Sequence, residues 1–324
     1  MALIGYHASH EQFAPDALLR LVQRAEQAGF GAVMCSDHFH PWSQAQGNSG
    51  HAWTWLGAAM ATTSLPFGVV NAPVGRYHPA VIAQAAATLA IMHGDRFWLA
   101  VGSGEALNEC ITGEPWPPKD VRNARLREAV EVIRGLWRGE EVSHFGEVTA
   151  DRARLYSLPD APPLLFAAAL SPETARWAGD WADGLITISQ PRDKLREVIG
   201  AFREGGGEGK PVRLQVKLSW AVDASEAREG ALAQWRTNVF ESTVSEDLRT
   251  PGQFEAAAKF VRADDVAEAV RISADLQQHV DWLQEDLASG VDQLLLHNVN
   301  RGQEAFIDAF GSSVLPQLRG PVAP

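Results

Sequence analysis

Cysteine is scarce, with Cys35 and Cys110 the two in 324 residues. They stand in unrelated contexts, which leaves neither a disulfide framework nor a CxxC metal site and suits a reducing compartment. Basic residues are also short: 28 Lys and Arg face 40 Asp and Glu, for a formal net charge of −12. A nucleic-acid partner, whose phosphates need a basic stripe, is therefore not expected. No apolar run approaches the ~18 residues of a membrane span. The opening residues 1–7 lack the basic segment and apolar core of a signal peptide, so a cytoplasmic protein is expected. Neither a GxSxG elbow nor a GxxxxGK[ST] loop occurs, which removes the usual footing of serine hydrolases and NTPases.

What is present is an ordinary globular composition, 46% hydrophobic and 21% charged, in a chain long enough to bury a large core. Short, continuously apolar runs recur at 3–7, 32–36, 67–70, 97–101, 164–168, 184–188, 212–221 and 291–297. Continuous rather than alternating apolarity is the mark of parallel strands covered on both faces. Helical stripes lie between them, such as Leu18, Leu21, Val22, Ala25 and Ala28, or Leu276, Val280, Leu283 and Leu287. Eight βα units with no break in composition predict an α/β fold: a single (β/α)8 barrel over residues 1–324. A doubly wound open sheet is the structural alternative. Insertions are expected after strand four, at about 139–158, and after strand seven, at about 238–262, the latter a lid or edge of the site. The Gly-rich 204–210 reads as a surface turn.

In such a barrel the chemistry gathers where strands end. Strand two runs into Asp37, His38, Phe39, His40 and Trp42. Strand four runs into Gly102, Ser103, Gly104, Glu105 and Asn108, and strand one into His7, His10 and Glu11. The glycines permit close backbone approach to a ligand. The structural alternative for Asp37 and His38 is a carboxylate orienting a packed ring, and for Trp42 plain packing among 11 tryptophans. His38-Phe39-His40 also resembles the His-x-His of metal-dependent barrel hydrolases. The ends of strands five and six, 164–170 and 184–190, hold no histidine to complete a shell, so no metal is expected.

Residues 36–42, the run 76–84 and residues 102–109 together resemble the luciferase-like monooxygenase family. The closest likeness is to the branch of the F420-dependent glucose-6-phosphate dehydrogenases. The resemblance implies a flavin-type ring at the barrel mouth with hydride or oxygen chemistry. It implies that His38 accepts a proton from a substrate hydroxyl and that Trp42 steadies the reacting centre. Glu105 and Glu11 would move protons, and Asp37, Gly104, Asn108, Ala168 and Ala169 would contact the cofactor. Val69 and Val70 would form a bulge behind the ring, with a cis peptide. Neighbouring Asp37 would orient or tune His38, whose proton affinity should lie near working pH.

Departures from the branch carry expectations too. Pro191, Ala256 and Ala269 stand where its phosphate-holding lysines and arginine are found, which disfavours a sugar phosphate. Ala72 and Ile188 replace threonines near the cofactor and Leu170 a glycine, which favours FMN over coenzyme F420. The expected enzyme is thus an FMN- or F420-dependent oxidoreductase acting on a small organic substrate. With reduced FMN it would be a monooxygenase served by a separate flavin reductase. The alternative is a non-catalytic flavin-binding protein, which would need no acid–base set. A homodimer is expected through the helices flanking strands two and three, with Trp53 and Trp55 as candidate anchors.

Overall fold

The computed structural model describes residues 3–318, so the first two and last six positions of the 1–324 barrel lie outside the described residues. Eight strands form the barrel: β1 (Leu3–Ala8), β2 (Ala32–Ser36), β3 (Phe67–Asn71), β4 (Phe97–Val101), β5 (Leu164–Ala168), β6 (Gly184–Ile188), β7 (Val212–Ser219) and β8 (Gln293–Asn298). Their order is β7-β8-β1-β2-β3-β4-β5-β6, and a β6–β7 ladder closes the ring. All eight ladders are parallel. The chain is a closed (β/α)8 barrel, as the apolar runs predict.

Strand alternation sorts the side chains. Val212, Leu214, Val216 and Leu218 of β7 are buried outward against the helices, and Arg213, Gln215 and Lys217 turn inward. The lower interior is a plug of Met34, Trp98, Ala100, Phe166, Ile186 and Leu295. Trp98 and Phe166 lie 5.3 Å apart with the Arg213 guanidinium over both rings. Two glycines make the plug possible. A Cβ on Gly68 would sit 1.8 Å from the Trp98 ring, and one on Gly184 2.3 Å from Phe166. Arg213 apart, the lower end is filled with apolar side chains and the polar groups gather toward the C-terminal mouth.

The helices between strands are α1 (Pro15–Gln27), α2 (Ala52–Thr62), α3 (Pro79–His93), α4 (Lys119–Trp137), α5 (Pro172–Gly179), α6 (Arg192–Phe202), α7 (Ala224–Trp235), α8 (Leu276–Leu287) and α9 (Gln303–Ala309). Pro15 opens α1, where its missing N–H costs no helical bond, and Leu18, Leu21, Val22 and Ala25 are its buried stripe. Between α4 and β5 stands a hairpin of Val142–Phe145 and Thr149–Ala153. Between α7 and α8 lie short helices Ser242–Ser245, Pro251–Ala257 and Ala263–Ala269.

One expectation is refined and two are corrected. The Gly-rich 204–210 keeps an exposed turn at Glu208–Gly209, as expected, but its first part is packed: Arg203–Gly207 winds on from α6 with a kink at Gly206 (φ +103°), and a Cβ on Gly205 would lie 1.9 Å from the Arg176 carbonyl oxygen of α5. Trp53 and Trp55 are 9% and 4% exposed and spent within the chain, their indole N–H groups donating to Asp37 and to the Pro15 carbonyl. They cannot anchor a partner. Finally, no described peptide bond is cis; Val69 and Val70 keep regular register with Leu99 and Ala100.

Candidate active site

His38 follows β2 and Glu11 follows β1, strands that pair directly. At the mouth the His38 Nδ1 lies 2.6 Å from Glu11 Oε1, and the other Glu11 oxygen accepts from Ser9 Oγ at 2.8 Å. Burial opposes charge on both groups, but each overcomes it for the other. The imidazole is held above its ordinary range by the Glu11 charge and hydrogen bond, and the carboxylate well below its own by His38. The pairing raises the proton affinity of His38 and orients its ring. Trp42 meets that ring edge-on at 5.4 Å, and Phe254 of Pro251–Ala257 meets Trp42 at 5.2 Å. Glu246 of the same insertion grips α4 through Arg122 at 2.8 Å, so 238–262 does border the mouth.

Asp37 serves another neighbour. Its Oδ2 accepts from Trp53 Nε1 at 3.0 Å and Asn71 Nδ2 at 2.8 Å, and Arg76 stands 3.5 Å from Oδ1. The Arg76 guanidinium also donates to the Asp37 carbonyl at 2.7 Å. Asp37 pins the β2 loop against β3 and α2, and the orienting of His38 falls to Glu11. Asn108 is a second pin: its Oδ1 accepts from the Phe39 and His40 amides at 2.8 and 3.2 Å. His40 turns its Nδ1 to the Leu107 carbonyl at 2.9 Å. Both loops are therefore fixed by buried polar contacts before any ligand arrives.

Glu105, after β4, leaves Oε2 buried without a hydrogen-bond partner. Burial raises its proton affinity, while His38 and Lys217 pull the other way. Lys217 rises from β7 and rests over Trp235, 5.6 Å from the ring centre. Burial pushes its ammonium down to about 8, with Glu105 opposing. Beneath them His7 and His297 stack at 4.2 Å, and the Gln215 amide bridges their Nδ1 atoms at 3.4 Å each. Burial pushes His7 down to about 4 and His297 well below its ordinary range, so both rings are neutral.

The surroundings suit a planar, flavin-type ring. Val70 and Ala168 are the partly buried upper members of the interior apolar cluster and form a floor. A Cβ on Gly102 would come no closer than 3.6 Å to the Ala168 side chain, and Gly104 takes φ +79°. Val70, Gly104 and Ala168 would hold the ring beneath the acid–base groups. Val69 and Ala169 point outward into helix packing, so they would meet it through backbone alone.

Residues 2–293 match the family model described as luciferase-like monooxygenase. The chain is an oxidoreductase of that family. The F420-dependent glucose-6-phosphate dehydrogenase of Beutenbergia cavernae is 37% identical over 330 aligned positions, 98% of each chain. A solved F420-dependent secondary alcohol dehydrogenase holding an F420–acetone adduct is 34% identical, with a TM-score of 0.92 over 98% of this chain and 99% of its own. The monooxygenase RslO1 from Streptomyces bottropensis, 20% identical with a TM-score of 0.74 over 97% and 99% of the two chains, shares the fold.

In this luciferase-like chain the mouth brings together His38, Glu11, Trp42 and Glu105, and it turns Asp37 and Asn108 to loop support. Sequence reasoning missed Lys217, Trp235, Gln215 and His297. The signal was available: Arg213, Gln215 and Lys217 alternate with Val and Leu along β7, which a barrel interior explains.

Proposed function

We propose that this chain is an F420-dependent dehydrogenase of small alcohols that carry no phosphate. When bound, the deazaflavin supplies a two-electron hydride acceptor or donor. As hydride leaves the carbinol carbon, the hydroxyl proton passes to His38 at Nε2, the nitrogen turned away from Glu11. Glu11 keeps the ring in that orientation and stabilises the imidazolium that forms. Trp42 walls the reacting centre and, through Phe254, ties it to the insertion. Asp37 and Asn108 hold their loops so that these groups keep their places.

The observation carrying this reading is the His38–Glu11 pair at the mouth, since a mere flavin carrier has no use for it. The choice of F420 is supported by relatives at 34–37% identity whose names specify it. The preference for FMN that Ala72, Ile188 and Leu170 suggest finds no support among them. The test is His38→Ala with F420 and a panel of alcohols. We expect turnover to fall about 10²-fold or more with F420 affinity retained. Unchanged turnover would remove His38 from the mechanism, and binding without any turnover in the parent protein would favour the non-catalytic alternative.

We also propose a homodimer through α2 and α3. Neither helix carries an Asp, Glu, Lys or Arg, and α3 exposes Val81, Ile91 and Met92, 48–57% each. An apolar helix with no charged face is one that another surface covers.

A further inference from the structure

Strand parity puts three polar side chains on one side of the barrel floor. Tyr6 and Leu296 pair across β1 and β8 and turn outward into the helices, so His7 and His297, which follow them, turn inward together. They stand one layer above Leu295 of the apolar plug, and each is 2% exposed. Gln215 of β7 completes the group, with its Nε2 3.4 Å from the Nδ1 of each ring. Val70 on β3 and Ala168 on β5, the floor for the flavin-type ring, lie across the barrel from them.

A chain of hydrogen bonds fixes which atom of each group donates, and it starts at backbone carbonyls, which can only accept. The Ala45 carbonyl takes Gln234 Nε2 at 3.2 Å, so Gln234 turns its Oε1 to Gln12. Gln12 Nε2 donates to that oxygen at 3.1 Å and to the Val299 carbonyl at 2.7 Å, which spends both its hydrogens. Gln12 therefore offers His297 its Oε1, 3.0 Å from the ring Nε2, and the proton of His297 must sit on that nitrogen. The neutral ring then has a bare Nδ1, which requires the NH2 end of Gln215 and not its oxygen. The same NH2 group faces His7 Nδ1, so the proton of a neutral His7 lies on Nε2. Burial keeps His7 neutral, pushing it down to about 4, and so does stacking, since two cations 4.2 Å apart would repel. No described residue accepts from His7 Nε2, and that atom is not one of those sealed in the interior without a partner. It opens on the mouth.

We propose that His7 presents a fixed N–H donor on the floor of the mouth, which a bound ligand meets with an acceptor oxygen. This rests on the reading of the mouth as the ligand site under the proposed function. The position of His7 opposite the ring seat, on the strand that leads to Glu11, favours an oxygen of the substrate; a ring carbonyl of the cofactor is the other source. The polarity cannot be reversed locally. A proton moved to His7 Nδ1 would face the Gln215 NH2 group, and each repair would pass the conflict back toward the Val299 carbonyl. A ligand group that can only donate, such as an ammonium, would meet N–H against N–H and be turned away.

The alternative is that the three side chains only fill the barrel, with no preferred proton position at His7. Nitrogen-15 NMR of the imidazole groups in the full chain, without ligand, decides this. The His7 signals are those lost in His7→Phe, or in His7→Gln should the first variant not fold. At neutral pH we expect a single proton on the His7 ring, at Nε2. A proton at Nδ1, a mixture of the two forms or a charged ring would overturn the proposal. Affinity and kinetics then identify the oxygen. His7→Phe keeps a ring and loses the donor, and His7→Gln returns an amide N–H near the place of Nε2. If the oxygen is the substrate's, KM for the alcohols should rise about ten-fold in His7→Phe, with F420 affinity unchanged, and recover in His7→Gln. If it is the cofactor's, F420 affinity should fall by about that factor instead. A His7→Phe protein with both quantities unchanged would overturn the proposal. The NMR readout needs no flavin, so failure to bind F420 or FMN would sink the proposed function and leave the fixed donor standing.

Discussion

Asp37 and His38 are adjacent in the chain but serve different partners. The strand that carries them ends, and the two side chains leave it in opposite directions: Asp37 toward Trp53 and Asn71, His38 toward Glu11. Sequence reading found both and paired them with each other, because neighbours in sequence are the pairs a sequence displays. The true partner lies 27 positions from His38 on the adjacent strand, a relation that only the β1–β2 register supplies. The pairing has a pH signature. His38 must be neutral to accept a proton, and Glu11 raises its proton affinity, so alcohol oxidation should climb as pH rises through the raised His38 midpoint. In Glu11→Gln the largest force opposing burial is gone, with only the weaker Glu105 and Asp37 charges left, and that limb of the kcat/KM profile should move to lower pH. A limb that stays in place would separate Glu11 from the chemistry.

At the scale of strands and helices, the barrel was legible because each strand is a short apolar run between helical stripes. Its ends were legible to within a few residues. What was not read was which residue of each strand turns inward: most strands are apolar on both faces and carry no mark of sides, and the polar–apolar alternation of β7, which does carry one, was taken with the rest as a continuous apolar run. Hence Lys217 and Gln215 on β7 passed unnoticed, and so did the fitting of Gly68 beneath Trp98. That fit is testable. Gly68→Ala places a methyl group where the Trp98 ring stands, and overpacking of this kind costs about 1–3 kcal/mol. Chemical denaturation should show that loss, with the midpoint falling and the slope unchanged. A variant as stable as the parent would mean that the plug yields more readily than its packing implies.

For the whole molecule, family membership and fold follow from a match covering residues 2–293 and from the closed ring of eight parallel ladders. The dimer and the cofactor are proposals at this scale. With Trp53 and Trp55 spent inside the chain, the exposed Ile91 and Met92 of α3 become the residues to test. Size-exclusion chromatography with light scattering should give a dimer, and Ile91→Glu combined with Met92→Lys should give a folded monomer. A parent protein that runs as a monomer would leave the α2–α3 surface without its proposed partner. The most direct test of the functional account is a fluorescence titration of the apo-protein with F420 and FMN in parallel. The expected result is micromolar or tighter binding of F420 with FMN weaker by at least roughly ten-fold, or 1.4 kcal/mol. Binding of FMN alone would contradict the deazaflavin dehydrogenase and return the chain to the monooxygenase reading, with its separate reductase.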